Sequence, residues 1–279
     1  MRKPVVAGSW YTGSAEGLRR QIEGCFQHPL GPGVLPGGPK TKERRTLGLV
    51  SPHAGYPYSG PVASHGFLQL ASEPRAQTVV VLGPNHTGLG AIVAVSGEDR
   101  WQTPLGDIEL DSGVGEAIVS ASRWAQWDDL AHAREHSVEL QLPFLQYIYG
   151  TGFRVVLITM LRQDFEVSQD LGRAIATALK GKDGVVIASS DFTHYEPRSL
   201  ASKKDHLAID AIISLDPRRL AEVVDSYDIS TCGPGPVMTM ITACKQLGAT
   251  KARLLRYADS GDITGDSHVV GYASLAVSS

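Results

Sequence analysis

The apolar positions of this chain fall into short continuous runs and longer runs at helical spacing, in alternation from end to end. Thr46 to Ser51, TVVVLGPNH at 78–86 and GVVIAS at 184–189 are continuously apolar rather than alternating. That pattern predicts strands covered on both faces. AIVAVSG at 91–97, FRVVLITM at 153–160, RLLRYAD and HVVGYASLAV supply further strands. Between them, a helix is predicted from Ser14, a good N-cap, to Phe26, with others over 60–72, 135–150 and 165–181. Two more run through about Leu215 and from Pro217 to Val224, and another follows Cys232, opened by proline and closed at Gly248. Residues 4–11 read as an opening strand or loop, 29–39 as a Pro/Gly-rich surface loop, and 101–111 as an irregular or β excursion with a helix starting near Asp111. No internal repeat is present. The alternation predicts an α/β protein: a single three-layer αβα domain over 1–279 with a mixed, largely parallel central sheet.

Composition narrows the function. The 279 residues are 42% hydrophobic and 20% charged, enough to bury a large core. A net charge of −3, with no basic, aromatic-interleaved segment, argues against nucleic acid as partner. No apolar run approaches the ~18 residues of a membrane span, and the N-terminus lacks the apolar core of a signal peptide. The 3 cysteines, Cys25, Cys232 and Cys244, are widely spaced and odd in number, which fits a reducing, cytoplasmic setting.

Candidate chemistry sits where strands end. His53 follows the first apolar strand in SPHAGYPYSG, and His86 follows the second in LGPNH, each in a loop with Gly and Pro. Strand ends of an α/β sheet are where ligands bind, and neutral imidazole is the commonest transition-metal ligand. The third such strand leads to Asp191 and His194 in SSDFTHY. There the carboxylate can orient the imidazole, and the imidazole can move protons at neutral pH. Cys232 lies just before a helix whose N-terminus favours a thiolate, the metal-binding form. Cys25 and Cys244, inside amphipathic helices, read as small buried hydrophobes.

Some motifs compete. His132-Ala-Arg-Glu135-His136 matches the H-x-x-E-H pattern of inverted zinc proteases, a metal-dependent hydrolase reading that needs both histidines on one helix face. The favoured use is His136 pointing into the cleft, with Glu135 and Glu139 as polar neighbours. Asp259, Asp262, Asp266 and His268 lie in a Gly/Asp-rich loop that lacks the spacing and closing Glu of an EF-hand, so a solvated acidic turn is expected. Trp10, Tyr56, Tyr58 and Tyr195 lie beside the candidate residues and are expected to line a pocket for a small molecule or peptide. G-x-G-x-x-G and P-loop patterns are absent.

AGSWY at 7–11, PHAGYPYSG at 52–60, LGPNH at 82–86, EHSVELQLPFL at 135–145, SSDFTHY at 189–195 and the Cys232 segment occur in the order of the Memo family. The chain resembles a prokaryotic member of the kind also called AmmeMemoRadiSam system protein B, over almost its whole length. The resemblance implies a fold similar to the LigB-type (class III) extradiol dioxygenases, whose metal is non-haem Fe(II). It implies His53, His86 and Cys232 as metal ligands, with His194 as acid/base histidine and Asp191 completing the pocket. It also implies iron or copper binding, redox activity, recognition of peptides in the cleft, and association with AMMECR-type and radical-SAM proteins. One departure matters. The dioxygenases use two His and a carboxylate, whereas the third donor here is a thiol, which shifts preference toward Cu(I) or Zn and separates the fold analogy from the activity. The expectation is therefore a metal-dependent redox protein holding Fe(II), or Cu or Zn, with a non-catalytic peptide- or partner-binding module as the alternative.

Overall fold

Every residue of Thr78–Pro84 is buried, as are all of Gly184–Ser189, because each strand carries side chains into a hydrophobic layer on either side. Val80 and Leu82 join one buried cluster while Val79 and Val81 join the other, so alternate positions of one strand feed opposite cores.

The computed structural model describes residues 1–279. Helix α1 (Ala15–Gln27) is followed by β1 (Thr46–Ser51), α2 (Tyr56–Ala71) and β2 (Thr78–Pro84). Strand β3 (Val93–Val95), a hairpin of β4 (Arg100–Thr103) and β5 (Gly106–Glu109), α3 (Ser112–Ala121) and β6 (Ala125–Trp127) come next. Then follow α4 (Leu142–Tyr149), β7 (Arg154–Met160), α5 (Phe165–Leu179) and β8 (Gly184–Ser189). Beyond these lie β9 (His194–Pro197), α6 (Arg198–Ile213), α7 (Pro217–Ser226) and α8 (Pro234–Gln246). The chain closes with β10 (Lys251–Asp259), the one-turn α9 (Gly261–Thr264) and β11 (His268–Ser278).

The sheet order is β10-β11-β1-β8-β2-β7-β3-β6, with β9 added to β11. Its centre, β1-β8-β2-β7, is parallel. Strands β11 and β3 run antiparallel to their central neighbours, so the sheet is mixed. Helices α1, α2 and α4 cover one face, with Phe26, Phe67 and Phe144 packed onto Val79, Val81 and Ile187. Helices α3 and α5–α8 cover the other. Phe67 and Phe144 stack with centroids 4.7 Å apart. Truncating Phe144 to alanine removes a fully buried ring and costs about 3–5 kcal/mol.

The crossover from β1 to β2 runs through α2 on one face, and that from β7 to β8 through α5 on the other. Between strands whose connections leave in opposite directions a crevice opens at the carboxyl ends. The loops after β1, β8 and β2, which are neighbours in the sheet, all empty into it.

Some boundaries differ from the sequence expectation. Helix α2 begins at Tyr56 rather than residue 60, because Pro57 sits in its first turn, where a missing N–H costs nothing. The helix expected over 135–150 is α-helical only from Leu142, after a 3₁₀ turn at Glu139–Gln141. The amides of His136 and Ser137 donate instead to the Glu135 carboxylate. The strand at 91–97 shrinks to β3, and β6 was not expected.

Candidate metal centre and cleft

His53 leaves the end of β1 and is buried, 2% exposed. Its backbone amide donates to Asp191 Oδ1 at 2.7 Å. Its Nδ1 meets Ser189 Oγ at 2.8 Å. The Ser189 hydroxyl proton goes to the Ser137 carbonyl at 2.7 Å, and the same oxygen accepts from Gln141 Nε2 at 2.8 Å. With its only proton committed, Ser189 can only accept from His53, so the imidazole carries its proton on Nδ1. Nε2 is left with a free lone pair 3.3 Å from Cys232 Sγ.

His86 is fixed by the same logic on β2. Glu135, fully buried, accepts the His86 backbone N–H at 2.5 Å and Nδ1 at 2.9 Å. It also accepts the amides of His136 and Ser137, both at 2.9 Å. Burial pushes the carboxyl up, but the His86 hydrogen bond and charge, the Ser137 amide and His136 together outweigh it and hold Glu135 down at about 2. An ionised carboxylate on Nδ1–H turns the other ring nitrogen of His86 outward as a donor.

Cys232 reaches the two histidines from the turn before α8. One ligand atom from each of His53, His86 and Cys232 lies within 4.8 Å of the others. The turn is set by close packing, since a Cβ on Gly233 would lie 2.7 Å from the Ser189 carbonyl oxygen. Gln163 clamps it from the loop after β7, donating to the Cys232 carbonyl at 2.9 Å and accepting the Gly235 amide at 3.0 Å. Burial of Cys232 works against the thiolate expected from the helix N-terminus. Burial, reinforced by the Asp191 carboxylate, pushes the Cys232 thiol up despite the Asp191 N–H aimed at Sγ from 3.2 Å. A cation is needed to draw the proton off. Nitrogen, nitrogen and sulfur donors that are close together, with both imidazole protons held elsewhere, fit a transition metal.

Asp191 and His194 do not form the expected pair. Asp191 accepts from the His53 amide, and burial drives its carboxyl up to about 6. His194 instead pairs Nδ1 with the Ser230 carbonyl at 2.8 Å, and its amide donates to Ser230 Oγ at 2.8 Å. A carbonyl only accepts, so His194 is protonated on Nδ1 and presents a bare Nε2. What orients it is the chain before Cys232, because β9 carries His194 away from β8 toward β11.

These groups open onto a cleft of about 890 Å³, within the range of small-molecule sites. Trp10, Tyr58, His136 and Tyr195 line it as expected positions. Trp10 packs on His136, which in turn stacks on His86 with centroids 4.6 Å apart. Burial first, then the His86 charge, lowers His136 to about 4 against the pull of Glu135. Tyr56 does not line the cleft. As the first residue of α2 it points into the core, its hydroxyl donating to the Leu140 carbonyl at 2.7 Å. Glu135 lies beneath the wall. Glu139 turns the other way, onto Arg2 and Tyr11.

The H-x-x-E-H segment is not a helix, and His132 is directed into the core, Nε2 donating to the Ala94 carbonyl at 3.1 Å. The inverted zinc-protease arrangement is therefore absent. In the acidic loop Asp259 and Asp262 both engage Arg198. Asp266 and His268 are exposed, as expected of a solvated turn, and they also line the cleft with Tyr272. Asp266 and His268 were read only as part of a turn, and Tyr272, Ser137, Gln141, Ser189 and Ser230 were missed. For Ser189 a signal existed: it ends a strand of the same type as those leading to His53 and His86. For the wall on β11 there was none, since it arrives by long-range pairing of β9 with β11.

A family model described as Memo-like protein matches residues 2–276. The chain is 49% identical over 280 residues to a MEMO1 family protein of Methanopyrus kandleri, covering 98% of each. It is 47% identical over 279 residues to one of Methanothermobacter thermautotrophicus, covering 99% of this chain and 100% of that protein. A crystal structure of an uncharacterized protein from Escherichia coli K12 superposes with a TM-score of 0.60 at 14% identity, covering 84% of this chain and 100% of that one. At that identity the likeness is one of fold. No helix is long and apolar enough to cross a membrane.

Proposed function

This chain belongs to the Memo family, and from that premise we propose that its cleft holds one redox-capable metal on His53, His86 and Cys232 and acts on a small organic molecule. The observation that carries the reading is the fixed protonation of both imidazoles: Ser189 and Glu135 hold the Nδ1 protons of His53 and His86, leaving lone pairs beside Cys232 Sγ. The family resemblance favours Fe(II), and the thiol donor also suits copper; zinc would fit the same donors but supply only a Lewis acid. When bound, iron or copper supplies a Lewis acid and an electron carrier at the cleft floor. Around it, His194 accepts or returns a proton at Nε2, while Trp10 and His136 form an aromatic wall that orients a ligand. Asp191 positions His53 through its backbone amide.

Elemental analysis of protein purified without added metal tests this directly, followed by titration with Fe(II) and Cu(I). About one equivalent is expected, lost in Cys232→Ser. Failure of the wild type to take up either ion sinks the reading.

The exposure of Trp10, Tyr58 and Tyr195 at the cleft mouth favours a second reading, a module that binds a peptide or partner without turnover. AMMECR-type and radical-SAM proteins are the partners proposed on family grounds. Capture of those proteins equally well by wild type and Cys232→Ser, with no metal uptake by either, would select this reading over the first.

A further inference from the structure

The two edges of the sheet are unequal. Strand β6, at one end, has 3 residues, whereas β10, at the other, has 9. A short edge offers little for another strand to pair with, and a long one offers a row of ladder groups. Strand β11 is the only neighbour of β10, and no backbone group of residues 251–257 bonds to any other part of the chain. Alternate N–H and C=O groups of β10 therefore point outward without a protein partner.

Register sets positive charge along this edge. Lys251, Arg253 and Arg256 pair with Ser278, Ala276 and Ser274 of β11, every second residue, and so share one face. The step from Arg253 to Arg256 is odd, but a bulge between Leu254 and Arg256 absorbs the extra residue and returns Arg256 to that face. It is the side covered by α2: Ala276 belongs to the core beneath that helix, and Ser274 Oγ would lie 2.9 Å from a Cβ on Gly66. Between α2 and the edge runs a groove of about 310 Å³ whose walls include Lys40, His65, Gln69, Arg253 and Leu255 and no carboxylate. Arg256 faces the same groove. Burial first, then the Arg256 charge, lowers the His65 pKa despite its bond to the Leu30 carbonyl. Arg253 donates to Gln69 Oε1, Arg256 Nε has no hydrogen-bond partner, and neither guanidinium pairs with a carboxylate.

The charge and the ladder together choose the occupant. A second copy pairing antiparallel through β10 would set these cations opposite one another, which is destabilising. A nucleic-acid strand answers the charge but not the alternating N–H and C=O row. An extended acidic peptide answers both.

We propose that the β10 edge and α2 form a docking surface for an extended acidic segment of a partner protein, which joins the sheet as an added strand with its carboxylates on Lys251, Arg253 and Arg256. The surface shares no lining residue with the metal cleft, so it stands or falls apart from both readings given above.

The test titrates full-length protein with a fluorescent peptide of about eight residues that alternates glutamate and valine. One control carries lysine for glutamate, and a second is N-methylated at every residue, which keeps the charge and removes the ladder donors. The acidic peptide should bind at least about tenfold tighter than the lysine peptide, and added salt should weaken it. The N-methylated copy should not bind. Lys251→Glu combined with Arg253→Glu, both at exposed positions, should invert the preference, and binding of the lysine peptide then also reports a folded variant. No binding of the acidic peptide, equal binding of its N-methylated copy, or a preference untouched by the double substitution overturns the proposal. Tighter binding of a single-stranded oligothymidylate, or self-association of the wild type that the double substitution abolishes, assigns the edge to nucleic acid or to a second copy and overturns it equally.

Discussion

The Glu135 carboxylate grips His86 twice, accepting its backbone N–H and its Nδ1 at 2.5 and 2.9 Å. With the amides of His136 and Ser137 it receives N–H donors on both oxygens. An amide in its place must turn its NH₂ group toward at least one of those donors. Glu135→Gln is therefore expected to lose about 1–3 kcal/mol of stability and, by unsettling the His86 tautomer, about 10–100-fold in metal affinity. Urea unfolding and metal titration of the same variant measure both. An unchanged affinity would separate Glu135 from the donor function of His86.

Ser189 does for His53 what Glu135 does for His86, without a charge. Ser189→Ala strands the His53 Nδ1–H and a Gln141 amide proton in a site that is fully buried. Metal affinity should fall at least about tenfold, and nitrogen chemical shifts of the His53 ring should lose the single Nδ1–H pattern of the wild type. Retention of that pattern would show that another group holds the tautomer.

Acid should weaken the fold above the ordinary carboxylate range. His132 is 1% exposed and finds a partner only for Nε2, and burial lowers its pKa from 6.5 to about 4. Since the folded value lies below the unfolded one, the unfolded chain takes up the proton first. Stability is whole above pH 6.5 and declines between 6.5 and about 4, by up to about 1.4 kcal/mol per pH unit for this one group. His132→Gln should flatten that slope in denaturation curves collected across the window. A slope identical to the wild type would mean that His132 is protonated in the folded state.

Without metal the thiols should be quiet. Burial raises Cys25 to about 12 and pushes Cys232 and Cys244 up as well. At pH 7, Ellman's reagent should label native metal-free protein at least about tenfold more slowly than a free thiol, then count all 3 cysteines on unfolding. Rapid labelling of Cys232 would reveal a thiolate that no cation had to create.

Much of this was legible in the sequence. Continuous apolar runs identified the central strands, and the layer order followed from their alternation with helices. Placement of His53 and His86 at strand ends was readable because a parallel sheet delivers its carboxyl ends to one rim. Tyr56 was misplaced by a helix start four positions late, although Gly55 and Pro57 marked the true one. The pairing of Asp191 with His194 was inferred from nearness in sequence, but β9 carries the histidine off to another strand. Hydrogen-bond saturation at Ser189 and the wall bearing Asp266 arise only from tertiary packing, which local pattern does not encode.

The position of β11 has a consequence for how the molecule is made. It is the last strand of the chain, yet it lies between β10 and β1 inside the sheet. Until it has left the ribosome, β1 presents an unpaired edge next to the loop that carries His53. The two imidazoles can be in place once β8 has joined β1 to β2 and brought Ser189, while Cys232 arrives some 40 residues later and the cleft wall later still. The newborn chain thus passes through a stage with two-thirds of its donor set and no lid on its edge. Completion of the site and protection from sticking to a neighbour come with the same final residues.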